Sequence, residues 1–135
     1  MNLKFHHLNL CSQNTPAMDD FYRNVLGLKQ EPTLAGNRIG NKDYPGHVAF
    51  VTDGAAQFHL SDQDLNVGFR RDQKINPLER GHIAFRTDDI ETVKKELTEK
   101  GVPFADYGTW AMGGWYQIFF YDPAGNIIEV HQAKS

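Results

Sequence analysis

Four residues spread along the chain, His7, His59, His82 and Glu129, carry side chains that bind divalent cations through imidazole nitrogen or carboxylate oxygen. Each lies in a short strand-like run: Phe5-His6-His7-Leu8-Asn9-Leu10, Gln57-Phe58-His59-Leu60-Ser61, Gly81-His82-Ile83-Ala84-Phe85 and Asn126-Ile127-Ile128-Glu129-Val130. Side chains alternate along a strand, so His7 and Asn9 share one face while His6 and Leu8 share the other. By the same rule Gln57, His59 and Ser61 group together, as do Ile127, Glu129 and His131. Three imidazoles and a carboxylate on rigid strands suit zinc, nickel, iron or manganese at ~2.0 to 2.2 Å. Taken alone, any one of these histidines reads equally as a hydrogen-bonded core or surface residue. His6 and His47 are assigned that role, and His131 either orients Glu129 or faces solvent. Cys11 is the only cysteine, which excludes an internal disulfide or a cysteine-based zinc cluster and leaves any metal to His and carboxylates.

A repeat ties the four together. His7 and His82 open equivalent strands, and each is followed by a helical pattern. In the first copy Thr15 caps the helix, Pro16 sits in its first turn, Met18, Phe21, Tyr22, Val25 and Leu26 form the apolar stripe, and Gly27 ends it. In the second, Asp88 and Glu91 form an acidic capping box, Ile90, Val93 and Leu97 line one face, and Gly101 stops the helix. Three extended segments follow each helix, at residues 28–34, 46–52 and 56–61 and again at 102–107, 115–121 and 126–131. Residues 50–60 overlie 120–130 at a constant shift, both around a hairpin turn. Extra residues in the first copy fall in the loop at 35–44. The fold class is α+β: two β-α-β-β-β modules, about 1–64 and 78–135 with a linker at 65–77, form one domain whose curved mixed sheet surrounds a metal-binding cavity. The match of 46–53 to 81–88 is coincidental, because no helical stripe follows Asp53.

Composition narrows the function. The 135 residues carry net charge −3, with 14 Lys and Arg and no basic run, so nucleic acid is not the expected partner. No apolar stretch approaches the ~20 residues that span a bilayer, and residues 1–10 lack the apolar centre of a signal peptide, so a cytoplasmic protein is expected. The stretch from Asp106 to Gln117 holds two Trp and two Tyr around three Gly. Tyr107, Trp110, Trp115 and Tyr116, with Asn9 and Arg86, are the candidate substrate-binding residues, as an aromatic lid over a planar or apolar compound; ordinary sheet packing is the competing reading.

The Phe-His-His-Leu-Asn-Leu run, Phe21-Tyr22-Arg23-Asn24-Val25-Leu26-Gly27-Leu28, Gly81-His82-Ile83-Ala84-Phe85 and Asp122-Pro123-Ala124-Gly125-Asn126-Ile127-Ile128-Glu129 together resemble the vicinal oxygen chelate superfamily over nearly the whole chain. That group includes glyoxalase I, extradiol dioxygenases, fosfomycin-resistance enzymes, methylmalonyl-CoA epimerase and metal-free bleomycin-binding proteins. The resemblance implies one divalent ion on His7, His59, His82 and Glu129 that chelates adjacent substrate oxygens, with Glu129 as the catalytic proton shuttle of a glyoxalase-like lyase or isomerase. Many glyoxalases carry a carboxylate where His59 stands. Without His59, a two-histidine, one-carboxylate set implies the dioxygenase or the thiol transferase. A metal-free binding module is the alternative from a different class. Relatives also imply a homodimer, with sites lying within one chain or shared between two.

Overall fold

The computed structural model describes residues 1–32, 34 and 44–134. Its described strands form one mixed, curved and unclosed sheet in the order β2-β3-β4-β1-β5-β8-β7-β6. Strands β1 (Lys4–Ser12), β2 (Lys29–Gln30), β3 (Val48–Thr52) and β4 (Gln57–Asp62) belong to the first module, and β5 (Gly81–Arg86), β6 (Ala105–Thr109), β7 (Trp115–Tyr121) and β8 (Ile127–Ala133) to the second. Strands β1 and β5 pair antiparallel at the centre, and each pairs parallel with the last strand of its own module. This is the predicted pair of modules related by a pseudo-twofold.

The helices follow the expected pattern with corrected ends. Helix α1 (Thr15–Asp20) is capped by Asn14, whose side chain accepts from the Ala17 N–H; Thr15 is the first helical residue, and its own N–H goes to Asp62 Oδ1. The chain continues from α1 into one wider turn, Phe21–Val25, where the Leu26 N–H reaches Phe21 O. Only Met18 and Tyr22 of the predicted stripe turn toward the sheet, while Phe21, Val25 and Leu26 are 47%, 66% and 54% exposed. A short helix α2 (Val67–Arg70) occupies the expected linker, whose Val67 and Ile75 are buried, with Leu78 just beyond it, in a cluster with Tyr107, Trp110 and Phe119. Helix α3 (Ile90–Glu99) is capped by Asp89 rather than Asp88: Asp89 Oδ1 accepts from the Thr92 N–H, and Asp88 instead offers its carbonyl to Gln132. Ile90, Val93 and Leu97 pack on Ile118 and Val130 as their spacing requires.

Both hairpins turn on an aspartate. Asp53 Oδ1 accepts from the Ala55 and Ala56 N–H groups, and Asp122 Oδ1 from those of Ala124 and Asn126. The first turn spans 53–56 and the second 122–126, one residue more, because Thr52 pairs with Gln57 but Tyr121 with Ile127. The expected constant shift therefore holds for β4 over β8 and slips by one for β3 over β7. Among the described residues of segment 28–34, pairing to β3 runs through β2 and Glu31 N to Phe50 O. The loop that absorbs the extra residues lies almost wholly outside the described ones.

Candidate functional site

Register across the sheet places the ligand-type residues in two adjacent rows. Asn9 lies between His59 on β4 and His82 on β5, and Ala84 lies between His7 on β1 and Glu129 on β8. Ala84 puts only a methyl group between them, and His7 Nε2 comes within 3.9 Å of Glu129 Oε2. The result is a cavity of about 50 Å³ lined by His7, Asn9, His59, Ser61, His82, Gln117 and Glu129, with Tyr44, Phe50, Leu78 and Trp115 as its apolar walls and Trp110, Ala111 and Met112 across it. By the ~10–15 Å³ needed per water, this volume admits a group of only a few heavy atoms.

Glu129 is the hub. It is 1% exposed and receives a 2.6 Å hydrogen bond at Oε2 from His131 Nδ1 and a longer one, 3.3 Å, at Oε1 from Gln117 Nε2. His82 Nε2 stands 3.0 Å from Oε1 and His7 Nε2 3.9 Å from Oε2. Burial alone pushes the carboxyl up, but the imidazoles of His7, His131 and His82 set around it outweigh that and hold Glu129 well below its ordinary range, as an anion. The imidazoles go the other way. Burial, reinforced by the neighbouring histidines, lowers His7 and His59 well below 6.5, so both are neutral.

Two proton positions follow from the partners. His82 Nδ1 contacts the Pro77 carbonyl at 2.9 Å, which can only accept, so Nδ1 carries a proton and Nε2 is the nitrogen turned toward Glu129. That buried Nε2 makes no hydrogen bond among the described residues, although it faces the Glu129 carboxylate. An imidazole nitrogen buried 3.0 Å from a carboxylate needs a positive charge shared between them, which a proton on Nε2 or a metal ion supplies. A divalent ion fits: its donors would be neutral imidazole and carboxylate, the set that zinc, nickel, iron and manganese accept. His131 is fixed in the same way. The Arg86 Nε–H can only donate, and it donates to His131 Nε2 at 3.0 Å, so Nδ1–H points at Glu129.

His6 departs from expectation. The β1–β5 register pairs Phe5 with Phe85 and then His7 with Ala84, so a β-bulge at His6 suspends the two-residue alternation that would have sent its ring to the opposite face. The His6 ring instead meets Trp115, His7 and His131 edge-on at 5.3, 5.1 and 4.9 Å, and its Nδ1 lies 2.8 Å from His7 Nδ1. His59 stacks flat on His7 with ring centres 3.5 Å apart, and its Nε2 contacts Gln57 Oε1. His7 thus stands between two groups: His6 and His59 on one side, Glu129 and His131 on the other.

The candidate substrate contacts divide. Asn9, Trp110 and Trp115 line the cavity. Tyr107 does not: it is 1% exposed in the core, with its hydroxyl on Ile75 O. Tyr116 faces the opposite side of the sheet, its hydroxyl donating to Asp106 Oδ2 and accepting from Lys94. Strand alternation held this information, since Trp115 and Tyr116 are adjacent and cannot share a face. Arg86 points to His131 and lies over the Trp115 ring at 5.0 Å, away from the cavity. Gln117 and Ser61 line the cavity without having been singled out as contacts; alternation from Trp115 and from His59 would have found both.

No curated protein matched the sequence. Among solved structures, a hypothetical protein of Bacillus halodurans C-125 superimposes with TM-score 0.73 at 18% identity, covering 100% of this chain and 97% of the other. Streptomyces coelicolor methylmalonyl-CoA epimerase, in complex with 2-nitronate-propionyl-CoA, gives 0.68 at 19% over 98% of each chain, and the Mycobacterium tuberculosis methylmalonyl-CoA epimerase 0.70 at 16% over 97% and 88%. At such identities the likeness is one of fold. The family model described as Glyoxalase/Bleomycin resistance protein/Dioxygenase superfamily matches residues 4–130, nearly the whole length, and the chain belongs to that superfamily.

Proposed function

We propose that the protein is a metal-dependent isomerase or lyase that moves a proton on a small substrate bearing adjacent oxygens. The observation that carries this reading is His82 Nε2, buried in the cavity wall and set 3.0 Å from the Glu129 carboxylate without a well-directed hydrogen bond among the described residues. His7, His82 and Glu129 would hold the ion; His59, stacked on His7 and tied to Gln57, stands beside that set. When bound, a divalent ion supplies a Lewis acid that polarises a substrate oxygen.

The chain's own groups do the rest. His131 holds Glu129 by Oε2, which leaves that carboxylate poorly placed as the mobile base. His59 occupies the equivalent point on β4, is neutral and lines the cavity, so it takes and returns the proton through an imidazole nitrogen. Trp110, Ala111 and Met112 line the cavity and supply an apolar surface beside the reacting atoms. The likeness to the methylmalonyl-CoA epimerases adds acyl-CoA esters to the hemithioacetals as probes. The apolar side chains of Phe21, Val25 and Leu26, exposed on the wider turn that follows α1, support pairing of two copies.

Solvent-deuterium exchange tests this. Zinc- or nickel-loaded protein is incubated in D2O with the glutathione hemithioacetal of methylglyoxal and with methylmalonyl-CoA, and label at the carbon beside the carbonyl is the expected result for one of them. Glu129→Gln should purify folded with little metal and no exchange. Oxygen uptake by the ferrous protein with catechol, without exchange in either probe, would move the assignment to the dioxygenase.

A further inference from the structure

We infer that Arg86 is a positioning residue for Glu129, acting through His131: it keeps the imidazole proton on the side that holds the carboxylate, and so fixes which Glu129 oxygen is left for the ion. This role rests on the metal reading proposed above. The register of the sheet builds it. Ala84 on β5 lies opposite Glu129 on β8, and two residues further along both strands Arg86 lies opposite His131. A step of two keeps Arg86 and His131 on the face that carries His82 and Glu129. Arg86 Nε donates to His131 Nε2 at 3.0 Å, and His131 Nδ1 donates to Glu129 Oε2 at 2.6 Å, so the three side chains form a chain. The Trp115 ring supports two of them: His131 stacks on it with ring centres 4.1 Å apart and 9° between planes, and the Arg86 guanidinium lies 5.0 Å from its centre.

Arginine suits this task for a chemical reason. A hydroxyl, an amide or another imidazole beside His131 could exchange donor and acceptor roles with it, whereas a guanidinium has five N–H donors, no acceptor and a permanent charge. His131 Nε2 therefore stays an acceptor and the ring's proton stays on Nδ1. His131 is 0% exposed, so no solvent competes for either nitrogen. Burial disfavours the Arg86 charge, and Glu129 favours it. Covering Trp115 needs no charge, since a methionine would do it. The consequence lies at Glu129, whose terminal torsion is intrinsically broad and needs an anchor. With Oε2 held by His131, Oε1 is the oxygen that stands 3.0 Å from His82 Nε2.

The test has a metal-free arm and a metal arm, both on the full-length protein. In nitrogen-15-labelled, metal-stripped protein, a long-range proton–nitrogen correlation spectrum reads which His131 nitrogen carries the proton, and the signals lost in His131→Phe identify the ring. A proton on Nδ1 with Nε2 bare is expected; a proton on Nε2 would overturn the assignment. In the second arm zinc affinity is measured by competition with a chelating dye. Arg86→Met keeps an unbranched chain over Trp115 and removes the donor, so it should lower zinc affinity by the ~10- to 100-fold typical of a residue that orients a ligand. In the His131→Phe background, which keeps an aromatic ring against Trp115, the same change should have no effect beyond about twofold, because the path to Glu129 is already cut. A role in packing alone would act equally in both backgrounds. Circular dichroism verifies the fold of each variant. Wild-type zinc affinity in Arg86→Met, or an equal loss with and without His131, would overturn this role alone. A wild type that binds no zinc would overturn the metal reading and this role with it, so the two failures are distinguishable.

Discussion

Three buried or half-buried neutral histidines make this protein acid-sensitive in its metal-free form, by an amount that can be worked out. His6 is lowered from 6.5 to about 4, first by burial and then by the charge of Arg86. His7 and His59 are likewise held well below 6.5, chiefly by burial. The folded state therefore keeps them neutral while the unfolded chain takes up protons below about 6.5, so their contribution to stability is present above that pH and is lost as pH falls toward the folded values. At about pH 5 an unfolded histidine gains about 2 kcal/mol from protonation, and a folded partner that stays neutral gains none. His7 and His59 each lose about 2 kcal/mol of stability between pH 7.5 and 5, and His6 about 1 after discounting for its partial exposure. The total, about 5 kcal/mol, matches the lower end of the net stability of a domain. Urea unfolding followed by tryptophan fluorescence at the two pH values reads it directly. His59→Gln should flatten the pH dependence by about 2 kcal/mol, whatever it does to stability at pH 7.5. Stability equal within about 1 kcal/mol at both pH values, or a His59→Gln slope identical to wild type, would refute the claim that these imidazoles are neutral in the fold.

Two further predictions concern the frame around the site. A Cβ at Gly81, where φ is +110°, would meet Asn9 O of the central strand, so Gly81→Ala should cost more than about 2 kcal/mol in chemical denaturation and loosen the β1–β5 seam that joins His7 to His82. Tyr116→Phe removes a hydroxyl bonded to Asp106 and Lys94 on the helix side of the sheet; it should cost about 1 kcal/mol of stability and leave metal affinity unchanged, whereas a change in metal binding would show that Tyr116 reaches the cavity after all.

The parts of this molecule that depend on local periodicity were legible in the sequence. Alternation on strands put His59 with Ser61 and Glu129 with His131, three- and four-residue spacing located α3, and the repeat related β1 to β5 and β4 to β8. These follow from backbone geometry that every residue obeys. What the tertiary structure decided were departures from periodicity and choices among near-equal partners. A one-residue bulge, whose cost and benefit arise between two strands, brought His6 to the site. Asn14 and Asp89 took the caps assigned to Thr15 and Asp88, because the latter found partners in Asp62 and Gln132 far along the chain. Arg86 faced His131 rather than substrate because β8 runs beside β5, an adjacency that composition cannot express. The apolar stripe of α1 shows the same limit: its spacing dictates an amphipathic helix, but only packing determines how much of that stripe the sheet covers.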